Sequence, residues 1–232
     1  MGSNIAIRMS DGFDLSCYLA TPAGPPKGAI VVVQEIFGVN SHIRSVADSY
    51  ASHGYLAVAP ALFDRLETGV ELGYTTDDIA IGIDLARGRT DFARAVTDVG
   101  DVATSIRTKL GGLNASGSKV GCVGYCWGGV VVTGVGFATP PAVDASVSYY
   151  GTGTVNFADR QPTAPMMFHF GDQDHTIPNE DIAKMQAAWP TATVHVYGAQ
   201  HGFNCDQRGS FDTASRDLAL TRTLEFFAAH VG

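Results

Sequence analysis

The sequence predicts an α/β fold: a mostly parallel central sheet, opened by an N-terminal antiparallel hairpin and covered by helices on both faces. Three observations predict it. Short β-branched runs such as Ala29–Val33 have the unbroken hydrophobicity of strands buried on both sides. These runs alternate along the chain with helical patterns, and right-handed crossovers then give a doubly wound sheet. A hydrophobic content of 45% with 27 glycines suits buried parallel strands joined by tight turns.

Residues 5–9 and 15–20 flank Asp11-Gly12, a hairpin signal. Residues 21–27 are rich in proline and glycine and read as a surface loop. Ala29–Val33 reads as a central strand. Asn40 or Ser41 caps a helix running to about His53, and residues 55–60 form the next strand. Residues 64–73 lack periodicity and read as a long loop. Helical patterns follow over 76–86 and 90–110, the second opened by Thr90-Asp91. Residues 119–123 read as a buried strand and 129–137 as a small, apolar, buried helix. Strands are predicted at 145–150, 166–170 and 194–197. Pro178 fits the first turn of a helix, and residues 212–230 form the last one. No repeat, low-complexity tract or linker divides the chain, so a single domain over residues 1–232 is expected.

Charged residues make up 16% of the chain, too few for disorder at this hydrophobicity. The net charge is −8 with no basic run, which disfavours nucleic-acid binding. Residues 1–10 are polar and lack the apolar segment of a secretory signal, and no apolar run reaches membrane-spanning length. Cys17, Cys122, Cys126 and Cys205 show no Cys-x-x-Cys or zinc-ligand spacing. Free thiols in a reducing cytoplasm are the expectation.

The most informative stretch is Gly124-Tyr125-Cys126-Trp127-Gly128. It has the Gly-x-nucleophile-x-Gly form of a strand-to-helix elbow, with cysteine in place of serine. A helix N-terminus below the thiol supplies free N–H groups and partial positive charge, which favour a thiolate and an oxyanion. Two later loops follow predicted strands. One is Gly171-Asp172-Gln173-Asp174-His175-Thr176-Ile177-Pro178; the other is Gly198-Ala199-Gln200-His201-Gly202-Phe203. Reactive groups in such sheets gather at the carboxyl ends of strands. The order nucleophile, acid, histidine is that of the α/β-hydrolase sheet. Cys126 is then the nucleophile, His201 the proton acceptor and donor, and Asp174 the group that orients the imidazole. Asp172 is the other carboxylate of its loop, and either acid can also serve as a turn-former. His169 falls inside a strand, and His175 lacks the downstream position of a triad base. Cys126 read blandly is a small buried hydrophobe, as Cys122 is.

Glu35 ends the apolar run in Gln34-Glu35-Ile36-Phe37-Gly38-Val39-Asn40, where a carboxylate enters the same cleft as Cys126 or is simply solvated. In the cleft it would hold the thiol neutral or compete with His201 for it. The backbone N–H groups of Ile36 and Trp127 are the candidate oxyanion hole.

With these residues in place, the chain resembles the dienelactone hydrolase family. The resemblance is carried by residues 34–40, by Gly121-Cys122-Val123-Gly124-Tyr125-Cys126-Trp127-Gly128-Gly129, by Gln173-Asp174-His175 and by His201-Gly202-Phe203, and it spans essentially the whole chain. It implies the α/β-hydrolase fold and cofactor-free hydrolysis of an enol-lactone of the carboxymethylenebutenolide type. It also implies the triad Cys126, His201 and Asp174. The family glutamate that matches Glu35 contacts the resting thiol and moves when substrate binds, so Glu35 is the expected switch.

Two departures bear on the substrate. Well-known family members bind its carboxylate with two arginines. One stands four residues after the histidine, where this chain has Cys205; Arg208 is nearby but displaced. The other precedes the first mid-chain helix, where this chain offers Glu71, Tyr74 and Asp77-Asp78, with Arg87 and Arg89 further on. Phe37, Tyr74, Tyr149, Phe203 and Arg208 are the candidate substrate-binding residues, and Trp127 is pocket wall or core. A general carboxylesterase or thioesterase acting on neutral substrates is the close alternative. A non-catalytic binding or redox-sensing protein is the distant one. No cofactor and no metal are expected; the partner is a small ester or lactone, with no nucleic acid and no membrane. The chain is expected as monomer or homodimer.

Overall fold

Asp11 and Gly12 turn the chain between β1 (Ser3–Arg8) and β2 (Asp14–Ala20). Gly12 takes a φ of 86°, open to glycine at little cost, and the Asp11 carboxylate accepts the Phe13 N–H at 3.1 Å. The computed structural model describes residues 2–109 and 119–232. Beyond the hairpin run β3 (Ala29–Val33), β4 (Leu56–Pro60), β5 (Val120–Tyr125), β6 (Ala145–Tyr149), β7 (Met166–Gly171) and β8 (Thr193–Tyr197). They form one eight-stranded sheet in the order β1-β2-β4-β3-β5-β6-β7-β8. The β1–β2 and β2–β4 pairings are antiparallel, and every later pairing is parallel. Strands β3 to β7 are buried at every position, as their continuous apolar runs require, whereas the edge strand β8 is largely open.

The helices are α1 (Ser41–Ser52), α2 (Thr76–Ile83), α3 (Phe92–Lys109), α4 (Trp127–Gly136), α5 (Asn179–Ala188) and α6 (Thr213–His230). Side-chain caps set three of their starts. Asn40 accepts the Ile43 N–H, Thr75 and Asp78 form a reciprocal capping box, and Asp212 accepts the Ser215 N–H. Two glycines of β5 show that helices cover both faces. A Cβ at Gly121 would strike Phe227 of α6, while one at Gly124 would strike the Gly128 carbonyl of α4. Residues three apart in a strand point to opposite faces, so α6 and α4 lie on opposite sides of the sheet.

Most differences from the sequence reading lie at element ends. The helix expected over 76–86 stops at Ile83 and passes into a wider π turn, Asp84–Arg89. The next helix begins at Phe92 rather than Thr90, and its expected last residue, Leu110, lies outside the described residues. The elbow helix begins at Trp127, two residues early, because the turn at Cys126 is tighter than the apolar pattern alone conveys. Pro178 is the cap of α5 rather than part of its first turn. Residues 64–73 are not loop throughout: Leu62–Arg65 form a 3-10 turn, and Glu71 bridges to Gly38. A 3-10 turn at Thr154–Phe157 was not foreseen. Among the described residues, no helix is long and apolar enough to cross a membrane.

Candidate active site

The end of β5 delivers Cys126 into a strained turn. Its φ of 54° is in the left-handed region, where a cysteine sits only if the surroundings hold it. They do: its N–H donates to the Tyr149 carbonyl at 3.0 Å, and its own carbonyl accepts the Gly129 N–H at 2.9 Å. A Cβ at Gly128 would collide with the Val33 and Gln34 carbonyls, so this glycine lets α4 approach β3. The thiol therefore stands at the N-terminus of α4 with Cys126 8% exposed.

His201 reaches the thiol from the loop after β8, its Nε2 3.2 Å from Sγ. On the other side of the ring, Nδ1 lies 2.7 Å from Asp174 Oδ2. The second carboxylate oxygen, Oδ1, accepts from the Thr176 N–H at 2.8 Å and its hydroxyl at 2.6 Å. Asp174 is buried and Asp172 exposed, which decides between the two acids of that loop. Burial pulls the His201 imidazole down, but the negative charge of a Cys126 thiolate and the bonds to Asp174 and Cys126 outweigh it. The His201 pKa rises to about 10. Burial pushes Asp174 up, and the His201 bond and charge with the Thr176 bonds more than reverse this, so it falls below its usual value. This arrangement can hold a thiolate–imidazolium pair with the imidazole fixed in one orientation. His169 is excluded as the base: it is buried in β7, with Nδ1 2.7 Å from the Tyr197 hydroxyl and Nε2 3.0 Å from Thr223 Oγ1.

Ile36 and Trp127 lie on neighbouring strand ends. Ile36 follows the carboxyl end of β3 and Trp127 opens α4 beside it, with β3 and β5 paired in register through Val33 and Gly124. Helix α2 closes over Ile36, because Gly82 carries no Cβ to strike the Ile36 carbonyl.

Glu35 requires a correction. It is fully buried next to this site, yet neither carboxylate oxygen has a hydrogen-bond partner. The thiol's hydrogen bond is to His201, and neither Glu35 oxygen bonds to it, so the expected Glu35–thiol hydrogen bond is not made in this arrangement. The cation beside it is Arg208, with Nη1 3.8 Å from Oε1. The Arg208 guanidinium also lies 5.9 Å above the Phe37 ring, which brings Arg208, Phe37 and Glu35 together. Phe37 packs edge-on against Tyr74 at 4.6 Å. The Tyr74 hydroxyl is held by Asn40 Nδ2 at 3.2 Å and by the Cys205 thiol at 3.2 Å. Arg87 and Arg89 are exposed on the π turn, Arg89 facing Asp84 at 3.8 Å.

Tyr149 and Phe203 do not line the cleft. Tyr149 is fully buried on the α6 face of the sheet, its hydroxyl 2.7 Å from Thr223 Oγ1. Phe203 is fully buried among Tyr149, Tyr150 and Tyr197. The tyrosine at the site is Tyr150. β6 ends one residue earlier than expected, and Tyr150 turns out of the strand with a φ of 39°. Its ring stands edge-on to His201 at 5.1 Å, and its buried hydroxyl has no partner. Burial, then the negative charges of Glu35, Cys205 and Cys126, push that hydroxyl far above the ordinary tyrosine range. Thr176 and His42 were also not foreseen. Thr176 had a legible signal, since an aspartate commonly bonds the N–H two residues on. His42 had none: it is buried on α1, and one ligand atom each from His42, Glu35 and Cys205 lies within 4.8 Å of the others.

The profile of the Dienelactone hydrolase family matches residues 15–231. The carboxymethylenebutenolidases of Pseudomonas putida and Pseudomonas knackmussii are each 32% identical to this chain, over 97% of it and 95% of their own length. A crystal structure from Klebsiella pneumoniae, whose name places it with the dienelactone hydrolases, superimposes with a TM-score of 0.85 at 27% identity, covering 99% of both chains. A dienelactone hydrolase-like phosphotriesterase from metagenomic libraries has a TM-score of 0.77 at 18% identity and shares the fold. The chain belongs to the dienelactone hydrolase family, and it is a hydrolase acting on lactone or ester bonds.

Proposed function

We propose that this chain opens an enol-lactone of the carboxymethylenebutenolide type through a thioester formed on Cys126. The observation that carries the reading is the unbroken line from Cys126 Sγ to His201 Nε2 at 3.2 Å, and from His201 Nδ1 to Asp174 at 2.7 Å. Sγ gives its proton to His201 and adds to the lactone carbonyl carbon. The resulting oxyanion is held by the Ile36 and Trp127 N–H groups. Collapse breaks the ring C–O bond, and His201 returns the proton to the departing enolate oxygen. The product remains tethered as a thioester. Water, deprotonated by His201, then attacks it, releasing the dicarboxylic acid and restoring the thiol. Asp174, itself braced by Thr176, keeps the imidazole turned toward sulfur throughout. Glu35 opposes negative charge at the thiol, so a substrate that draws its carboxylate away would favour attack.

Arg208 supports an anionic substrate. It is the cation at the cleft, and moving it from Glu35 to a substrate carboxylate would replace a long contact with a hydrogen-bonded one. The relatives named carboxymethylenebutenolidase support the same substrate class. One observation favours the second reading, a neutral ester or thioester: the thiol of Cys205 stands where an arginine is expected, and Arg208 already faces Glu35. All four cysteines are free, which supports a reducing cytoplasm. We assign no partner beyond the small substrate, as monomer or homodimer.

The test is loss of dienelactone absorbance with purified protein, beside a neutral p-nitrophenyl ester, with Cys126→Ala as control. Turnover of the lactone that vanishes in the variant is expected. Turnover of the neutral ester alone would move the substrate to the second reading. Lactone turnover that survives in Cys126→Ala would overturn the mechanism.

A further inference from the structure

We propose that Glu35, His42 and Cys205 form a zinc-binding site beside the catalytic pair. One ligand atom from each lies within 4.8 Å of the other two, and all three residues are buried. The polar atoms are poorly served by the protein alone. Both Glu35 carboxylate oxygens and His42 Nε2 lack any hydrogen-bond partner. Leaving such groups buried and unpaired costs about 1–3 kcal/mol each, and more for a charged group. The nearest cation to Glu35, Arg208, stands off at 3.8 Å and makes no hydrogen bond to it.

The orientation of His42 is what distinguishes a metal site from a poorly filled polar pocket. Its Nδ1 lies 3.4 Å from the Asp206 carboxylate, which leaves Nε2 as the nitrogen facing inward. That contact is not a hydrogen bond here; tightened into one, it would give the usual form of a metal-bound imidazole, with a carboxylate on one nitrogen and the other free for the ion. Asp206 is exposed, and a cavity of about 70 Å³ lined by His42, Tyr125, Asp206 and Arg216 lies beside His42.

The donor set selects the ion. Thiolate, imidazole and carboxylate together suit zinc, whereas calcium and magnesium require oxygen ligands. Ligand atoms on tetrahedral zinc stand roughly 3–4 Å apart, given bonds of about 2.0–2.3 Å, so the three side chains close inward by about an ångström. The fourth position is open to water. A thiol must lose its proton to bind zinc, so binding sends the Cys205 proton to solvent, and affinity rises with pH. Cys205, which departs from the arginine expected at its position, gains a use here.

The experiment titrates cobalt(II), then zinc, into the Cys126→Ser protein, so that the catalytic thiol cannot contribute. Stoichiometric thiolate-to-cobalt charge-transfer absorption, displaced by zinc, is expected. Adding Cys205→Ser abolishes the band. Adding His42→Ala or Glu35→Gln weakens binding at least tenfold, and Asp206→Asn weakens it about 10–100-fold. Circular dichroism establishes that each variant is folded. A folded protein with no band overturns the proposal. So does a band that survives Cys205→Ser, or one that requires Cys126 and so reports metal on the catalytic pair. None of these readouts depends on which ester or lactone is hydrolysed.

Discussion

Two buried polar groups stand side by side at the carboxyl end of this sheet, and they are built in opposite ways. In the first, Cys126, His201, Asp174 and Thr176 form a chain in which both nitrogens of the ring and both oxygens of the acid are partnered. In the second, Glu35, His42 and Tyr150 keep polar atoms that are buried and bonded to nothing in the protein. The difference teaches where each group gains its purpose. A completed chain fixes one proton path before substrate arrives. An incomplete one is stable enough to persist only because the rest of the core holds it, and it is completed by whatever enters.

The largest effect should come from breaking the completed chain. Cys126→Ala should lower kcat by about 10⁴-fold or more, and Asp174→Asn by about 10³–10⁴-fold, with binding of substrate little changed. Equal, small losses in both variants would erase the contrast between the two groups. Next in size, Arg208→Ala should raise KM for an anionic lactone about 10–100-fold, since a hydrogen-bonded charge is worth about 1.5–3 kcal/mol. A neutral ester should be almost unaffected, and steady-state kinetics on both substrates measures the split.

The incomplete group predicts the opposite sign for stability. Glu35→Gln removes a buried charge without hydrogen bonds and should raise unfolding free energy by about 1 kcal/mol or more in urea. The same change should speed iodoacetamide labelling of Cys126, because it removes a negative charge that opposes the thiolate. A less stable variant with unchanged labelling would mean that Glu35 is already satisfied. Smallest is the pH dependence. Asp174 is held below its usual pKa, so its contribution to stability is present above about pH 4 and lost as pH falls through its folded value. His201 is raised to about 10, so the stability from its proton is complete below about pH 6.5 and is lost as pH rises through 10. Urea unfolding across that range should show the two opposite slopes in the unmodified protein, the acid one lost in Asp174→Asn and the alkaline one in His201→Ala.

The same contrast explains what was legible in the sequence. Cys126, Asp174 and His201 each follow a strand, so strand periodicity and loop order place them together at one end of the sheet. Their elbow is written in its glycines, whose missing Cβ atoms the packing demands. The second group has no such grammar. Which of Tyr149 and Tyr150 faces the cleft depends on where β6 stops, and a one-residue overreach of the strand exchanges them. His42 reads as one more residue of a capped helix; only the packing of α1 brings it to Cys205, remote in sequence, and back to Glu35. The Glu35 side chain was expected on the thiol, and its actual surroundings are set by Arg208, in the long irregular segment between β8, which ends at Tyr197, and α6.

The most direct test of the central claim is intact-protein mass spectrometry during turnover of a slow ester. The account predicts one acyl adduct, mapped to Cys126, removed by hydroxylamine and absent from Cys126→Ala. Hydrolysis that proceeds at the wild-type rate with no adduct on Cys126, or with the acyl group on another residue, would contradict it.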